Sequence, residues 1–211
     1  MKRLLLLSCI LFVCKGIICA ETIETSVPAT VEPAPLTSNK TGYVLMIIPQ
    51  YNFVDDEYSI PKVILSRAGW TVEVASQSTR EVALGTDIMK VRPNLTVEQI
   101  NADKYEALVM VGGYLSKKFY ENPVLIEKVK EFNSKGKLIG AMDNMPYYLA
   151  LWGLLRDVKV TVNPSMSKTL IKMGVNYIEK DIVIDKNIVS VNMAKYSDAF
   201  ANEFLEALNN R

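Results

Sequence analysis

Residues 138–155 read "LIGAMDNMPYYLALWGLL". Leu138 to Met142 is an unbroken apolar run, Asp143-Asn144 supplies turn chemistry, and Pro146 opens a second apolar run that lasts to Leu155. A short apolar run bounded by turn residues is a buried strand, and proline suits a first helical turn. The stretch therefore predicts a strand, a sharp corner and a helix over 144–155. Corners of this kind sit at the carboxyl edge of an α/β sheet, where ligands bind and where many enzymes hold a nucleophile. The corner residue here is a carboxylate, Asp143.

The same alternation extends on both sides. "YVLMIIP" from Tyr43 reads as a strand, Asp55 to Ala68 as a helix, and "TVEVAS" and "ALVMVGG" as further strands. A helix over 123–134, short strands near 158–162 and 188–192, and a closing helix from Ser197 to Asn209 complete the pattern. Residues 77–105 are too irregular for one helix and predict a small hairpin plus a short helix starting near Thr96. Strands alternating with helices predict an α/β fold: a three-layer αβα sandwich around a mostly parallel, flavodoxin-like sheet with a nucleophile-elbow type turn. The informative positions are then the turns after the strands, at 49–57, 112–116, 143–147 and 163–167.

One domain suits 211 residues. It is expected to occupy residues 41–211, because 21–40, "ETIETSVPATVEPAPLTSNK", has the Pro/Thr/Ser composition of a disordered linker. Residues 1–20, "MKRLLLLSCILFVCKGIICA", have the basic start, apolar run and terminal Ala20 of a signal peptide. The protein is therefore expected to be exported, periplasmic or extracellular.

Cys9, Cys14 and Cys19 all lie in that segment, and the chain has no histidine. Without residues 1–20 there is neither thiol nor imidazole, which excludes disulfides, Cys/His zinc sites and Ser-His or Cys-His catalysis. Losing Lys2, Arg3 and Lys15 takes the basic residues from 24 to 21 against 23 acidic ones, a net charge of −2. That balance gives no electrostatic case for nucleic acid. No glycine-rich phosphate loop is present, and no cofactor or metal is assigned, although Asp56, Glu57 and Asp143 offer oxygen ligands. "NKT" at Asn39 and "NLT" at Asn94 match the glycosylation acceptor pattern.

Five segments in order, "FVDDEYSIPKVILSRAGWTVEVAS", "YEALVMVGGY", "KLIGAMDNMPYYLALWGLL", "VKVTVNP" and "NIVSVNMAKYSDAFANEFLEAL", resemble the ThiJ/PfpI family. This is the DJ-one type branch of the class I glutamine amidotransferase-like superfamily. Its members carry a cysteine at the corner, commonly as A-x-C-[HA]-G-P, and a glutamate from the first helix that hydrogen-bonds it. The resemblance implies that Asp143 stands at the cysteine position with Glu57 as its partner. Asn144 falls where many members have histidine, Met145 where they have glycine and Asn163 where several have a second histidine. Gly112-Gly113 and Pro146 match, and an oxyanion-type amide at Gly113 is implied.

Each of these residues also has a structural reading. Asp143 suits a helix N-cap, Asp55-Asp56-Glu57 complements a helix dipole, and Gly112-Gly113 suits a turn. Tyr114, Tyr147 and Tyr148 line either a pocket or a core, and Met145 either loosens the turn or roofs the pocket. Two functions follow from the sequence. The first is an exported domain without the thiol chemistry, a non-catalytic module binding a small molecule or a protein, with a homodimer through apolar helix faces as its candidate assembly. The alternative is a cysteine-independent hydrolase or hydratase/lyase. There Asp143 is base or nucleophile, Glu57 shares its proton, and the Gly113 and Asn144 amides stabilise an oxyanion.

Overall fold

The computed structural model describes residues 41–113 and 117–211. The segments expected to be a signal peptide and a linker, together with Asn39 and Tyr114, lie outside the described residues. The strands are β1 (Tyr43–Ile47), β2 (Tyr51–Phe53), β3 (Thr71–Ser76), β4 (Ala83–Gly85), β5 (Lys90–Val91), β6 (Leu95–Thr96), β7 (Ala107–Met110), β8 (Leu138–Met142), β9 (Lys159–Val160), β10 (Asn176–Tyr177), β11 (Ile182–Asp185) and β12 (Ile188–Val191). The helices are α1 (Asp55–Arg67), α2 (Lys117–Tyr120), α3 (Pro123–Ser134), α4 (Met145–Leu151), α5 (Ser167–Lys172) and α6 (Ser197–Asn209).

Seven strands form the main sheet in the order β11-β12-β8-β7-β1-β3-β6, parallel except for the β11–β12 hairpin at one edge. Its central strands are apolar at every position because both faces are covered. In β1, Leu45 and Ile47 enter the core shared with α3 and α4, while Val44 and Met46 enter the core shared with α1 and α6. β7 divides in the same way, with Leu108 and Met110 on one face and Ala107 and Val109 on the other. On β8, Gly140 lets α6 approach closely: a Cβ there would lie 2.6 Å from Phe200 Cζ.

The elements over 71–76, 123–134 and 197–209 have the expected bounds. Residues 77–105 contain the expected hairpin, β4 with β5, and a short 3-10 turn that begins after Thr96. The helix expected over 144–155 stops at Leu151; Gly153 takes φ 76°, and Trp152 and Leu155 fold back into the core. The apolar run there fills the core without continuing the helix.

The order of the strands positions the site. The chain leaves β1 for β3 on one side, then returns to β7 and β8 on the other, so the direction reverses between β1 and β7. The crevice at the carboxyl ends of such a pair is the expected ligand site of an open α/β sheet. The segments after β1, β7 and β8 carry Glu57, Gly112 and Asp143.

Candidate active site

Asp143 follows β8 directly, and its amide still pairs with Val191 O at 3.0 Å, as a strand residue would. Its backbone then turns to φ 52°, a left-handed conformation that disfavours most side chains but is tolerated by Asp and Asn. The turn lifts the half-buried carboxylate over the sheet edge. Asn163 Nδ2 donates to Asp143 Oδ1 at 2.6 Å, and the Asn144 amide donates to the same carboxylate. Asn163 is itself fixed, because its Oδ1 accepts from Ser165 N at 3.0 Å and Ser165 Oγ at 2.7 Å.

The cap reading of Asp143 does not hold. Asn144 occupies the N-cap position of α4, and no side chain caps that helix. The Asn144 amide, expected to face an oxyanion, is already engaged by Asp143. The Asn144 side chain instead donates from Nδ2 to Gly113 O at 3.2 Å, leaving its buried Oδ1 without a partner. Met145 is wholly buried in the core beside Leu149, so it packs the base of α4 and does not roof a pocket.

Glu57 lies in the first turn of α1 and is 0% exposed. Its Oε2 accepts from Gly112 N at 2.7 Å, and its buried Oε1 has no hydrogen-bond partner. Burial, then the charge of Asp143, and less strongly that of Asp56, push Glu57 up to about 8 against the lowering effect of the Gly112 amide. Burial also raises Asp143, but Asn163 and the Asn144 amide oppose it. Asp143 therefore ionises first, and at neutral pH Glu57 keeps its proton. A neutral carboxyl is a hydrogen-bond donor, and here its Oε1 faces no fixed partner.

Gly112 is where these groups converge. A Cβ on residue 112 would lie 2.8 Å from Glu57 Oε2, 3.1 Å from Asp143 Cβ and 3.2 Å from Asn144 Oδ1. Three successive carbonyls hold this corner: Val111 O accepts from the Tyr120 hydroxyl at 3.1 Å, Gly112 O from Val54 N at 3.1 Å, and Gly113 O from Asn144 Nδ2. In a trans peptide the N–H opposes the C=O, so the Gly113 amide points away from Val54. The structure thus gathers Glu57, Gly112, Gly113, Asp143, Asn144 and Asn163 and leaves Met145 in the core.

Sequence reasoning missed Tyr120, which reaches the site from a four-residue helix with no periodic signal, and the backbone of Val54. Tyr148, on α4, packs on Tyr120 with ring centroids 4.4 Å apart, and both rings belong to the core shared with α3 and α4 or its margin. Among the described residues no group of three or more acidic side chains is arranged to hold a metal ion.

Fold and site together define an α/β protein with a parallel core sheet and a carboxylate pair at its topological switch point. The chain belongs to the DJ-1/PfpI family, which it matches over residues 43–207. It is similar to an uncharacterized protein of Methanocaldococcus jannaschii, 34% identical over 172 residues that cover 80% of this chain and 83% of that protein. It is also similar to a deglycase of Pyrococcus abyssi, 30% identical over 78% of this chain and 98% of that one. Among solved structures, a ThiJ/PfpI domain protein of Brachyspira murdochii shares the fold with a TM-score of 0.77 at 24% identity, covering 82% of this chain and 99% of its own. Drosophila melanogaster DJ-1beta has a TM-score of 0.74 at 25% identity, covering 82% and 92%.

Proposed function

We propose that this domain carries out proton-transfer chemistry on a small carbonyl compound without a thiol, as a hydratase/lyase or hydrolase. Asp143 stands where the family's cysteine would be. The carrying observation is that a buried Glu57, unpartnered at Oε1, and Asp143 at a left-handed corner converge on Gly112, where burial and the Asp143 charge favour the protonated form of Glu57. Asp143 takes a proton from the carbon beside the carbonyl, or from an attacking water. Glu57 gives its proton to the carbonyl oxygen. In enolisation Asp143 then returns a proton to carbon and Glu57 recovers its own, whereas in hydration the diol is complete after the first two transfers and both carboxyls are reset by proton exchange with solvent. The relatives named deglycases, and the Caenorhabditis elegans relative named a glutathione-independent glyoxalase, favour small carbonyl compounds as the substrate class.

Proton NMR in heavy water tests this reading on a panel of small aldehydes and ketones. Exchange or hydration beside the carbonyl is expected with the wild type and should fall by about 100-fold or more in Asp143→Asn and in Glu57→Gln. Absence of exchange for every compound refutes the catalytic reading.

The second reading, a non-catalytic binding module, is favoured by the absence of thiol and imidazole beyond residue 20. Saturable shifts of the Gly112 and Asn144 amides without turnover would support it. We also propose that residues 1–20 direct export and are removed, a reading supported by Lys2-Arg3, the apolar run and Ala20. The protein recovered from cells should then begin at Glu21, as read by N-terminal sequencing.

A further inference from the structure

The groups that hold the site include one that is hydrogen-bonded to neither carboxylate. Tyr120 is 1% exposed, and its hydroxyl donates to Val111 O at 3.1 Å. Val111 O and Gly112 N–H belong to one peptide unit, and that N–H donates to Glu57 Oε2 at 2.7 Å. The hydroxyl of Tyr120 and the carboxyl of Glu57 therefore sit at opposite ends of a single rigid plane.

We propose that Tyr120 is a positioning residue which, through the peptide plane joining Val111 and Gly112, sets how strongly Glu57 holds its proton. This deepens the carboxylate-pair reading above and rests on it for its functional meaning. Two physical effects act in the same direction. A donor on the carbonyl polarises the peptide and makes its N–H a stronger donor. The same bond opposes rotation of the plane, which would turn the N–H away from Oε2. Both favour the ionised form of Glu57 and offset part of the cost of burying its charge.

Tyr120 suits this role because it remains a donor at every working pH. Burial, then the neighbouring Glu57, Tyr148 and Asp143, hold its hydroxyl well above the ordinary tyrosine range. The other titratable groups acting on Glu57 are Asp143 from the β8–α4 corner and Asp56 on α1 itself. Neither is hydrogen-bonded to Tyr120. The Tyr148 ring packs on the Tyr120 ring and donates to none of the carbonyls of residues 111–113. That separates packing from hydrogen bonding at the same place.

The test is a carbon-13 titration of the Glu57 carboxyl in full-length protein labelled at glutamate side chains, with the resonance assigned by its loss in Glu57→Gln. Tyr120→Phe should raise the Glu57 midpoint by ~0.3 to 1 pH unit, whereas Tyr148→Phe should move it by less than ~0.1. Replacing Tyr120 by 3-fluorotyrosine, a stronger donor of nearly the same shape, should lower it, and this second change decides the matter if the phenylalanine variant folds poorly. Equal midpoints in wild type and both Tyr120 variants, or an equal shift from Tyr148→Phe, would overturn the proposal. A wild-type midpoint below about 6 would refute the protonated Glu57 of the carboxylate-pair reading. The difference between variants would still decide the role of Tyr120.

Discussion

Asn163 holds Asp143 at two points, donating from its side chain to Asp143 Oδ1 at 2.6 Å and from its backbone amide to Asp143 O at 2.9 Å. The loop after β9 is thereby clamped to the corner after β8, and Asp143 is kept in its left-handed conformation. Side chain and backbone strain contribute separately to this arrangement, and substitutions can tell them apart.

At Asp143, asparagine keeps an acceptor for Asn163 and tolerates a positive φ, glycine keeps only the tolerance, and alanine keeps neither. In denaturant melts at pH 7, Asp143→Gly should be more stable than Asp143→Ala by about 1 kcal/mol, the cost of a left-handed Cβ. Asp143→Asn should be at least as stable as the wild type, because it removes a buried charge and retains the hydrogen bond. Equal stability of the glycine and alanine variants would show that the corner relaxes when the carboxylate leaves.

The pH dependence follows from Glu57. Its folded-state value of about 8 lies above the unfolded value near 4.5, so the folded protein holds a proton that the unfolded chain has released. Below about 4.5 both states are protonated, and Glu57 costs nothing through ionisation. As pH rises from there to about 8, stability is progressively lost, and above 8 the loss is complete. Asp143, also raised, adds a contribution of the same sign at lower pH. Glu57→Gln should therefore melt close to the wild type at pH 4.5 and above it at pH 8. A constant gap between the two curves from pH 4.5 to 9 would contradict a raised Glu57.

Much of this site was legible because the apolar runs mark the strands, and the turns that follow parallel strands share one edge of the sheet, which places Glu57, Gly112 and Asp143 there. What was not legible depended on contacts distant in sequence. Nothing in "KKFY" marks Tyr120 as a donor to Val111, and the Asn163 clamp depends on where the loop after β9 returns. The cap reading of Asp143 failed because cap residues and left-handed turn residues are drawn from the same side chains, Asp and Asn. Strand β11 escaped notice because an antiparallel edge needs one buried face only, and in "IVID" only Val183 is buried. The long apolar run to Leu155 was read as helix because periodicity does not separate a helix from a turn packed into the core.

Gly112 tests the convergence directly. Because an added methyl would meet Glu57 Oε2 at 2.8 Å, Gly112→Ala must displace that carboxyl or the strand end that carries residue 112. Overpacking of this kind costs about 1–3 kcal/mol. The cost should shrink in the Glu57→Ala background, where the displaced group is absent, so a double-mutant cycle should give a clear coupling. Additive losses would mean that Glu57 and Gly112 are held independently.

A second carboxylate of α1 offers a control away from the chemistry. Asp55 accepts from the amides of Met89 at 2.8 Å, Asp87 at 3.1 Å and Ile88 at 3.2 Å, and from the Thr86 hydroxyl at 3.2 Å. Burial pushes Asp55 upward, but these bonds outweigh it and leave the group below its ordinary value. Its sign is therefore opposite to that of Glu57. The stability it contributes is present above the unfolded carboxylate value and is lost as pH falls through the folded one. Asp55→Asn keeps one acceptor oxygen and should free at least one of the three loop amides, with protection against hydrogen exchange falling at Asp87 or at Ile88 and Met89 while that of the central strands is unchanged. Asp55→Ala should cost about 2 kcal/mol or more, since hydrogen bonds to a charged acceptor each contribute about 1.5–3 kcal/mol. If protection at 87–89 survives in the alanine variant, the β4–β5 hairpin holds its own shape and Asp55 is only the start of a helix.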